Sequence, residues 1–476
     1  MQWVAFGAVF ACLFYGCWSL ENGLVPTPPM GWLAWTRFMC QVNCKAYPKH
    51  CISENLFLDM ATVMVDEGYR DAGYTRINID DCFGQKTRHP TTGELQADPH
   101  RFPHGIKWLS DYMHDKGLKM GIYANYGKTT CMGYAGTMDE HMELDARTFA
   151  NWGADMLKMD GCFTDVKLFE KGYPRMGAAL KQTGRAMVYA CSWPFYVLSE
   201  AHQQPDYAAV SATCNMWRNY NDISISWDSV QDIIDFYTSH QDILASYHGP
   251  GHWNDPDMLI VGNRGLTADQ ARVQMAIWCM WSAPLLMSND LREMEPVFKE
   301  ILLNKRLIAM DQDPLGHMGK RVAQRGKIDI FRKRMTPVEK AAGHISDFSY
   351  GLAFFNQHRV SMHEVRFTLE ELGLQRPLGY KVQDLFTGYF LNGTVIPSRR
   401  FLLRLKPTSV IVWKATIALD TEGATPSHLS VERNLERNDF SGSYYLWLLS
   451  IAALLCLLWL SRKAFRNYRL TLHRRF

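Results

Sequence analysis

The sequence predicts a (β/α)8 barrel (TIM barrel), followed by an antiparallel β-sandwich and a single C-terminal transmembrane helix. Between Pro29 and Gly316, short apolar runs alternate with stretches of helical periodicity, a pattern typical of parallel β/α units. After about Leu315 the pattern changes to short alternating runs broken by Gly and Pro, which favours an antiparallel sandwich. Residues 444–460 contain no charge, and about 17 apolar residues are enough to span a bilayer.

Eight apolar runs have the length of buried strands, and eight favours a closed barrel over an open sheet. They cover residues 31–35, 74–81, 119–124, 156–161, 186–193, 212–218, 251–259 and 282–288. Amphipathic helices are predicted over 53–67, 142–152 and 226–243, with Ser53, Ser226 and Thr267 as N-caps. The gap between the fifth and sixth strands has the weakest helical pattern, so we expect an irregular unit there.

These patterns divide the chain into a barrel over 24–316, a sandwich over 317–414 and a polar stalk over 415–443. The clearest sandwich strands are expected at 327–332, 351–356, 364–369 and 409–414. The sequence Asn392-Gly393-Thr394 is an N-glycosylation acceptor and falls in the sandwich, where we expect a surface loop.

Both ends of the chain are apolar. Residues 1–19 are predicted to be a cleaved signal peptide, although they lack a basic start, and an uncleaved anchor is the alternative. For 444–460 the alternative is a buried core helix, but the segment has no polar stripe. The basic tail 461–476 marks the cytoplasmic side. We therefore expect a single-pass type I membrane protein whose body is lumenal or extracellular.

Composition narrows the class of protein further. Of 476 residues, 47% are hydrophobic and 21% are charged, which excludes a disordered or coiled-coil chain. The net charge is +3, but the last sixteen residues hold six Lys or Arg and no acid, so the remainder sums to −3 and gives no sign of nucleic-acid binding. Eight of the twelve cysteines lie between Cys40 and Cys214, which favours an oxidising compartment.

Charged residues close several of the predicted strands, where a barrel builds its active site. They are Asp80, Asp81, Lys158, Asp160, Arg218, Asp222, Asp255 and Asp257. Such carboxylates suit either a divalent metal or glycoside hydrolysis by a carboxylate pair. Nearby aromatic residues favour a sugar ring, and no His-rich metal spacing is present. These aromatics are Trp32, Trp35, Tyr123, Trp193, Tyr196, Trp217 and Trp253. For Trp32, Trp217 and Trp253, packing inside the barrel is an equally good interpretation.

Several long motifs, occurring in order, resemble glycoside hydrolase family 27, the α-galactosidase and α-N-acetylgalactosaminidase family. The resemblance is strong from about Leu24 to Gly316 and weaker to about Lys414. The motifs are MGWLAWTRFMC (30–40), INIDDCF (77–83), DPHRFPHGI (98–106), KMGIYA (119–124), DMLKMDGCF (155–163), CSWPFY (191–196), WRNYND (217–222) and GPGHWNDPDML (249–259). The family fold is a (β/α)8 barrel followed by an antiparallel β-sandwich.

The resemblance implies a retaining mechanism in which Asp160 is the nucleophile and Asp222 the acid/base. A retaining pair has its carboxyl groups about 5–5.5 Å apart. The resemblance assigns the remaining positions to substrate binding: Trp35, Asp80, Asp81, Tyr123, Lys158, Ser192, Phe195, Tyr196, Arg218, Asp257 and Met258. No cofactor and no metal are implied. The expected partners are terminal α-galactosyl or α-N-acetylgalactosaminyl glycans, and because family members are often homodimers, a second copy of the chain is also an expectation.

The resemblance also implies four disulfides, which pair Cys40 with Cys82, Cys44 with Cys51, Cys131 with Cys162 and Cys191 with Cys214. Spacing alone would leave the connectivity open. Cys279 lies in a helical stretch and is predicted to be a buried free thiol, and Cys456 lies in the predicted anchor.

This sequence departs from the family in the loop that reads the sugar 2-position. Ser192 is typical of the α-N-acetylgalactosaminidases, because a hydroxyl can donate to an acetamido carbonyl. Phe195 favours galactose instead, because its ring fills the room of the acetyl methyl. The substrate therefore stays open between the two sugars.

Three further changes, Thr36, Asn125 and Ile225, stand where the family has acids. The sequence thus supports two hypotheses, a membrane-tethered exo-glycosidase and a lectin-like surface protein that has kept the sugar pocket but lost turnover. Retention of both catalytic aspartates favours the enzyme. A metal-dependent hydrolase on the same barrel is the third possibility, and ligand type argues against it.

Overall fold

A computed structural model describes residues 20–339 and 347–418. Its largest sheet has eight parallel strands: β1 (Met30–Leu33), β2 (Arg76–Asn78), β3 (Lys119–Asn125), β4 (Met156–Asp160), β5 (Val188–Cys191), β6 (Met216–Arg218), β7 (Trp253–Asp255) and β8 (Leu285–Met287). Strands β1 to β7 are neighbours in chain order, and β8 pairs with β1. A parallel bridge from Leu259 to Met287 closes the ring. The predicted (β/α)8 barrel is confirmed.

Twelve α-helices connect and follow these strands within the described residues. They are α1 (Trp35–Phe38), α2 (Glu54–Asp66), α3 (Gly105–Asp115), α4 (Met142–Asn151), α5 (Phe169–Gln182), α6 (Trp193–Ser199), α7 (Tyr207–Thr213), α8 (Trp227–Ser239), α9 (Gln241–Ser246), α10 (Ala268–Met280), α11 (Pro296–Leu302) and α12 (Lys305–Asp311). As expected, the unit between β5 and β6 is irregular, because it contains two short helices instead of one long one.

All three residues predicted as N-caps occupy the N-cap position of an α-helix. The Thr267 side chain accepts the N–H of Gln270 in a capping box that begins α10, and Ser226 accepts the N–H of Ser229 at the start of α8. Ser53 occupies the N-cap position of α2 but makes no side-chain bond there. Two of the three caps therefore have the predicted hydrogen bond.

The helix predicted over 226–243 is two helices in the structure, because the chain leaves helical geometry at His240. The break places Gln241 beside a strand of the sandwich, where its side chain accepts the N–H of Arg321 (2.7 Å) and donates to the same residue's carbonyl (3.2 Å). These bonds satisfy backbone groups of an edge strand that has no neighbouring strand on that side.

The second sheet system begins after the barrel and is antiparallel throughout. Its strands are β9 (Lys320–Arg325), β10 (Ile328–Glu339), β11 (Asp347–Asn356), β12 (His363–Thr368), β13 (Tyr380–Asp384), β14 (Arg400–Leu405) and β15 (Val410–Ile417). Five of them form one sheet in the order β13-β15-β11-β10-β9, and β12 pairs with β14 in a second sheet. Phe354, Phe367 and Trp413 are buried in the sandwich core. The predicted antiparallel sandwich is confirmed.

The sandwich ends later than the sequence predicts. Strand β15 continues through Ile417, three residues past the predicted end of the sandwich at 414. Ala415 and Ile417 are buried and pair with Val382 and Tyr380 of β13, so these residues belong to the sheet.

A buried lysine joins the two sheet systems. Lys333 of β10 is only 1% exposed and donates to the carbonyls of Cys279 and Met310 and to the Ser282 hydroxyl. All three acceptors belong to the barrel side of the junction. Burial lowers the pKa of Lys333 to about 8. Cys279 is a buried free thiol, as predicted.

Several predicted segments lie outside the described residues: the signal peptide 1–19, most of the stalk 415–443, the transmembrane helix 444–460, the basic tail 461–476 and Cys456. Among the residues that the structure does describe, none of the helices has the length and apolar character needed to cross a bilayer. Asn392, the predicted glycosylation site, is exposed.

Candidate active site

The predicted site residues meet at the carboxyl ends of the barrel strands. Asp160 ends β4, Arg218 ends β6 and Tyr123 lies within β3. Asp80 and Asp81 follow one residue after the end of β2. Because parallel strands bring their carboxyl ends to one face of the barrel, residues far apart in sequence share one cavity.

That cavity has a volume of about 520 Å³ and is called the active-site cavity below. Its lining consists of Trp35, Asp80, Asp81, Tyr123, Cys131, Lys158, Asp160, Cys162, Ser192, Phe195, Tyr196, Arg218 and Asp222. Every residue predicted for catalysis or substrate binding is in this set except Asp257 and Met258. Asp257 lines a second cavity deeper in the barrel, and Met258 is buried with its sulfur 3.5 Å from the Thr36 hydroxyl.

Asp160 is held by three hydrogen-bond donors. Its Oδ1 accepts from the Tyr196 hydroxyl (2.7 Å) and from the Gly161 N–H (3.0 Å), and its Oδ2 accepts from the Tyr123 hydroxyl (3.1 Å). Burial, followed by the nearby Asp160 charge, raises the pKa of both tyrosines well above the usual value, so both remain donors. The carboxylate is thus fixed in one orientation before any ligand arrives.

A buried ion pair lies beside this carboxylate. Lys158 Nζ is 2.6 Å from Asp80 Oδ2. Burial acts to lower the pKa of Lys158, but the charges of Asp80, Asp160 and Asp222 raise it above the usual value, so the cation persists. Burial raises the pKa of Asp80 and Asp81. Asp81 accepts the N–H groups of Cys82 (2.6 Å) and Met132 (3.0 Å), which fixes its position in the wall.

Arg218 bridges two carboxylates, Asp222 and Asp257, at 3.1 Å each. The Asp222 side chain is 65% exposed, whereas that of Asp257 is 4% exposed. Partial desolvation by neighbouring side chains acts to raise the pKa of Asp222, but the Arg218 and Lys158 cations lower it below the usual value. Burial raises the pKa of Asp257, which also accepts the Ile223 N–H (2.8 Å). The exposed member of the pair is therefore the one that can reach a ligand.

Asp255 is one of the predicted strand-end acids, but the family resemblance assigns it no role in catalysis or substrate binding. It is buried, lines the deeper cavity with Asp257, and accepts the N–H of Asp257 at 2.8 Å. Burial raises the pKa of Asp255 to about 7 although Arg218 opposes the shift. The sequence Asp255-Pro256-Asp257 at the end of β7 was the available signal that Asp255 belongs to the site. Two acids so close in sequence at one strand end are expected to have different hydrogen-bond partners.

The loop predicted to read the 2-position forms one wall of the cavity. Ser192 is buried at the end of β5. The Phe195 ring packs edge-on against Tyr196, with ring centroids 4.9 Å apart. Ser192 and Phe195 thus line the same cavity as Asp160, and both can contact a sugar bound there.

Four of the aromatic residues considered as sugar contacts are instead packed in the protein interior. Trp32, Trp217 and Trp253 are fully buried, and their indole N–H groups donate to Asn289, Asn254 and Val25. This agrees with the packing interpretation. Trp193, expected beside the sugar, is instead stacked on Tyr173 and buried, because it turns into α6 away from the cavity lining.

The three departures from the family lie outside the cavity lining. Asn125 is buried, donates to the carbonyls of Thr129 and Cys162, and accepts the N–H of Cys162. Its amide therefore holds the chain next to the nucleophile, and an aspartate would lack the two donors. Thr36 is buried beside Ile223, and Ile225 is partly exposed. Their effect on the candidate carboxylates is therefore indirect.

All four disulfides implied by the resemblance are present: Cys40–Cys82, Cys44–Cys51, Cys131–Cys162 and Cys191–Cys214. Cys131, Asp160 and Cys162 lie close enough together to suggest a metal site. The two sulfurs are bonded to each other, however, so neither is a thiolate ligand. The disulfide instead forms the wall of the cavity beside Asp160.

We expect Tyr196→Phe to lower kcat by about 10- to 150-fold with little change in KM. The change removes the 2.7 Å hydrogen bond to Asp160, and a bond to a charged group is worth about 1.5–3 kcal/mol. Hydrolysis kinetics measure the effect. Tyr126→Phe is the matched control, because its hydroxyl bonds Asp139 at 3.0 Å and Tyr126 does not line the cavity. Equal losses in the two variants would contradict the assigned role of Tyr196.

Comparisons with known proteins agree with this geometry. A family model described as "Alpha galactosidase A" matches residues 27–313. The α-N-acetylgalactosaminidase of Gallus gallus is 46% identical over 415 residues, covering 86% of this chain and 99% of that protein. Human alpha-galactosidase A is 44% identical over 373 residues, covering 77% of this chain and 86% of that protein.

Solved structures point the same way. Alpha-galactosidase I from Mortierella vinacea matches with a TM-score of 0.72 at 28% sequence identity, and the match covers 83% of this chain and 98% of that one. The family model covers more than half of the chain, and the curated relatives are matched over most of their length. The chain therefore belongs to glycoside hydrolase family 27, the family of α-galactosidases and α-N-acetylgalactosaminidases.

Proposed function

We propose that this protein is a retaining exo-glycosidase that hydrolyses terminal α-linked galactose or α-N-acetylgalactosamine. The observation that carries the proposal is that Asp160 and Asp222 line one cavity and differ in their surroundings. Asp160 is fixed by three donors, whereas Asp222 is exposed and has a cationic partner. Glycoside hydrolysis with retention requires two carboxylates in one site, one that attacks the anomeric carbon and one that transfers a proton.

In this mechanism Asp160 attacks the anomeric carbon while protonated Asp222 donates its proton to the departing glycosidic oxygen. The resulting glycosyl-enzyme is an ester of Asp160. Asp222, now ionised, removes a proton from water, which attacks the anomeric carbon and releases the sugar with its original configuration. Because Tyr123 and Tyr196 bond both oxygens of Asp160, the nucleophile needs little reorientation before it attacks.

The buried polar groups bind the sugar hydroxyls. Lys158 donates to hydroxyl oxygens, and Asp80 and Asp81 accept from hydroxyl hydrogens, as the family resemblance implies. Both aspartates are buried within the cavity wall, so a sugar lacking a matching hydroxyl would leave a buried charge without its partner.

The experiment compares initial hydrolysis rates on aryl α-galactoside and aryl α-N-acetylgalactosaminide, for the full-length protein and two variants. Phe195→Ala is expected to raise the ratio of α-N-acetylgalactosaminide to α-galactoside hydrolysis, because it opens room for the acetyl methyl. Ser192→Ala should lower that ratio, because it removes a donor to the acetamido carbonyl. We expect the ratio of the two hydrolysis rates to change by about tenfold in each variant. This corresponds to the free energy of roughly one hydrogen bond or of one to two methylene groups.

An unchanged ratio in both variants would reject the assignment of this loop to the 2-position. If the wild-type protein hydrolyses neither substrate between acidic and neutral pH yet binds galactose saturably, the protein is a lectin and the proposed activity is wrong.

We further propose that the chain is tethered to a membrane by residues 444–460. The support is in the sequence: the segment carries no charge, Tyr444 and Trp459 stand near its two ends, and Arg462 and Lys463 follow it. Alkaline carbonate washing should leave the full-length protein in the membrane fraction, and truncation after residue 441 should release it. Release of the full-length protein by the wash would contradict the proposed membrane tether.

A further inference from the structure

We propose that a second cleft, formed by α9, the loop after it and strands β9 and β10, binds a phosphate or sulfate group, free or esterified to a sugar. The cleft holds about 1100 Å³ of space, including the part that is open to solvent, and is called the basic cleft below. Four of its lining residues are cations, Lys320, Arg321, Arg332 and Arg334. It shares no lining residue with the active-site cavity.

The strand register concentrates these cations. Lys320 of β9 lies directly opposite Arg332 of β10, and Arg334 follows two residues later, on the same face of its strand as Arg332. Like charges directly opposite each other on neighbouring strands destabilise a sheet. A bound anion would relieve this repulsion.

The protein's own acids neutralise only part of the charge. Asp242 is the single carboxylate among the described residues that line the basic cleft, and it pairs with Lys320 at 2.9 Å. Arg321 has a longer contact, 3.4 Å, with Asp329. Two of the four cations thus have an acidic partner.

Arg332 and Arg334 have no carboxylate within 4 Å in the described part of the chain. Arg332 donates to the Leu372 carbonyl (2.7 Å), and its guanidinium lies 5.6 Å from the centre of the Tyr350 ring. Arg334 is exposed and lies 5.1 Å from the centre of the Phe348 ring. Their ring contacts hold both guanidiniums in place and leave N–H groups available.

A neutral histidine adds an unmatched donor to the wall. Burial, with smaller effects of Lys333, His317 and His252, lowers the pKa of His248 to about 3. Its Nδ1 accepts the N–H of Asn254 at 3.2 Å, so in the neutral ring Nε2 carries the hydrogen. That Nε2 is buried and has no hydrogen-bond partner among the described residues. His248 therefore contributes a neutral N–H group, and no positive charge, to the residues that line the basic cleft.

The chemistry favours a tetrahedral oxyanion. A guanidinium can give two parallel N–H bonds to a phosphate or sulfate, and such charge-assisted bonds are stronger than neutral ones. A group with two negative charges also matches two unpaired cations. Because the basic cleft is much larger than one anion, it has room for a sugar ring that carries the ester.

Isothermal titration of the full-length protein tests the proposal, at constant ionic strength maintained with sodium chloride. The probes are inorganic phosphate, glucose 6-phosphate and, as the neutral control, glucose. We expect saturable binding of at least one phosphate probe and none of glucose. Tighter binding of glucose 6-phosphate would identify a sugar ester as the ligand, and equal binding would identify the free anion.

Two variants should change affinity in opposite directions. Arg334→Gln, at an exposed position, is expected to weaken binding by about fivefold or more. Asp242→Asn is expected to tighten it by about twofold or more, because it removes the carboxylate from the cleft. Arg399→Gln is the matched control, because this exposed guanidinium lies 5.2 Å from the centre of the Phe401 ring and lines no part of the cleft.

Glycosidase activity of each variant serves as a folding check that is independent of the basic cleft. The proposal is overturned if neither phosphate probe binds, if Arg334→Gln and Arg399→Gln have the same effect, or if Asp242→Asn weakens binding. Loss of phosphate binding in Arg334→Gln, with glycosidase activity retained, would support the proposal.

Discussion

Replacing Asp160 with asparagine is expected to lower kcat by about 10⁴-fold or more on both aryl substrates. An amide of the same size keeps the Tyr196 and Gly161 contacts to Oδ1 but is a far poorer nucleophile than a carboxylate, and loss of a nucleophile removes most of the rate enhancement of such enzymes. Steady-state rates measure the loss, and thermal unfolding followed by circular dichroism tests whether the fold survives.

Asp165→Asn provides the matched control, because Asp165 is an exposed acid in the same loop whose side chain accepts the Lys167 N–H. It should retain wild-type rates. An Asp160→Asn enzyme that keeps a tenth of the wild-type rate, or one that unfolds, would place the nucleophile elsewhere.

The second large effect is expected for Asp222→Ala, and it should depend on the leaving group. General acid catalysis contributes about 10²- to 10⁴-fold, so glycosides with poor leaving groups should lose the most. With an activated aryl substrate the glycosyl-enzyme should form readily but hydrolyse slowly. Azide should then restore turnover, because this small anion attacks the intermediate without needing a base.

The same residue predicts the pH dependence. Asp222 must be protonated to act as the acid, and the Arg218 and Lys158 cations lower its pKa although partial desolvation opposes them. In the wild-type enzyme kcat/KM should therefore fall as the pH rises through this lowered pKa, which gives an acidic optimum. Asp222→Ala should lose that decline. A variant that azide does not rescue and whose pH profile is unchanged would reject Asp222 as the acid/base.

Much of the fold could be predicted because buried strands and amphipathic helices leave periodic patterns in the sequence. Each of the eight barrel strands overlaps a predicted apolar run; six lie wholly within one, and β1 and β3 each extend one residue beyond. The break at His240 was not predicted, because it depends on hydrogen bonds between Gln241 and a strand eighty residues away. The end of β15 was missed for a similar reason, since Ala415 and Ile417 resemble a linker until their partners in β13 are known.

The sequence predicted most of the residues that line the candidate site, but not how the side chains around it pack. Strand-end acids and the family motifs identified the residues of the active-site cavity, because position in a parallel barrel determines which face they reach. Sequence could not show that Met258 lies behind the wall or that Trp193 turns into α6, because both depend on side-chain packing. Nor could it show that Asn125 serves as a hydrogen-bond donor to two carbonyls.

Proton NMR of the first sugar released from an aryl α-glycoside tests whether the enzyme retains the anomeric configuration. A retaining enzyme with Asp160 as nucleophile and Asp222 as acid/base must release the α-anomer first, with the β-anomer appearing later by mutarotation. Initial release of the β-anomer would contradict the mechanism. Absence of any released sugar, from protein that still binds galactose, would contradict the proposed activity.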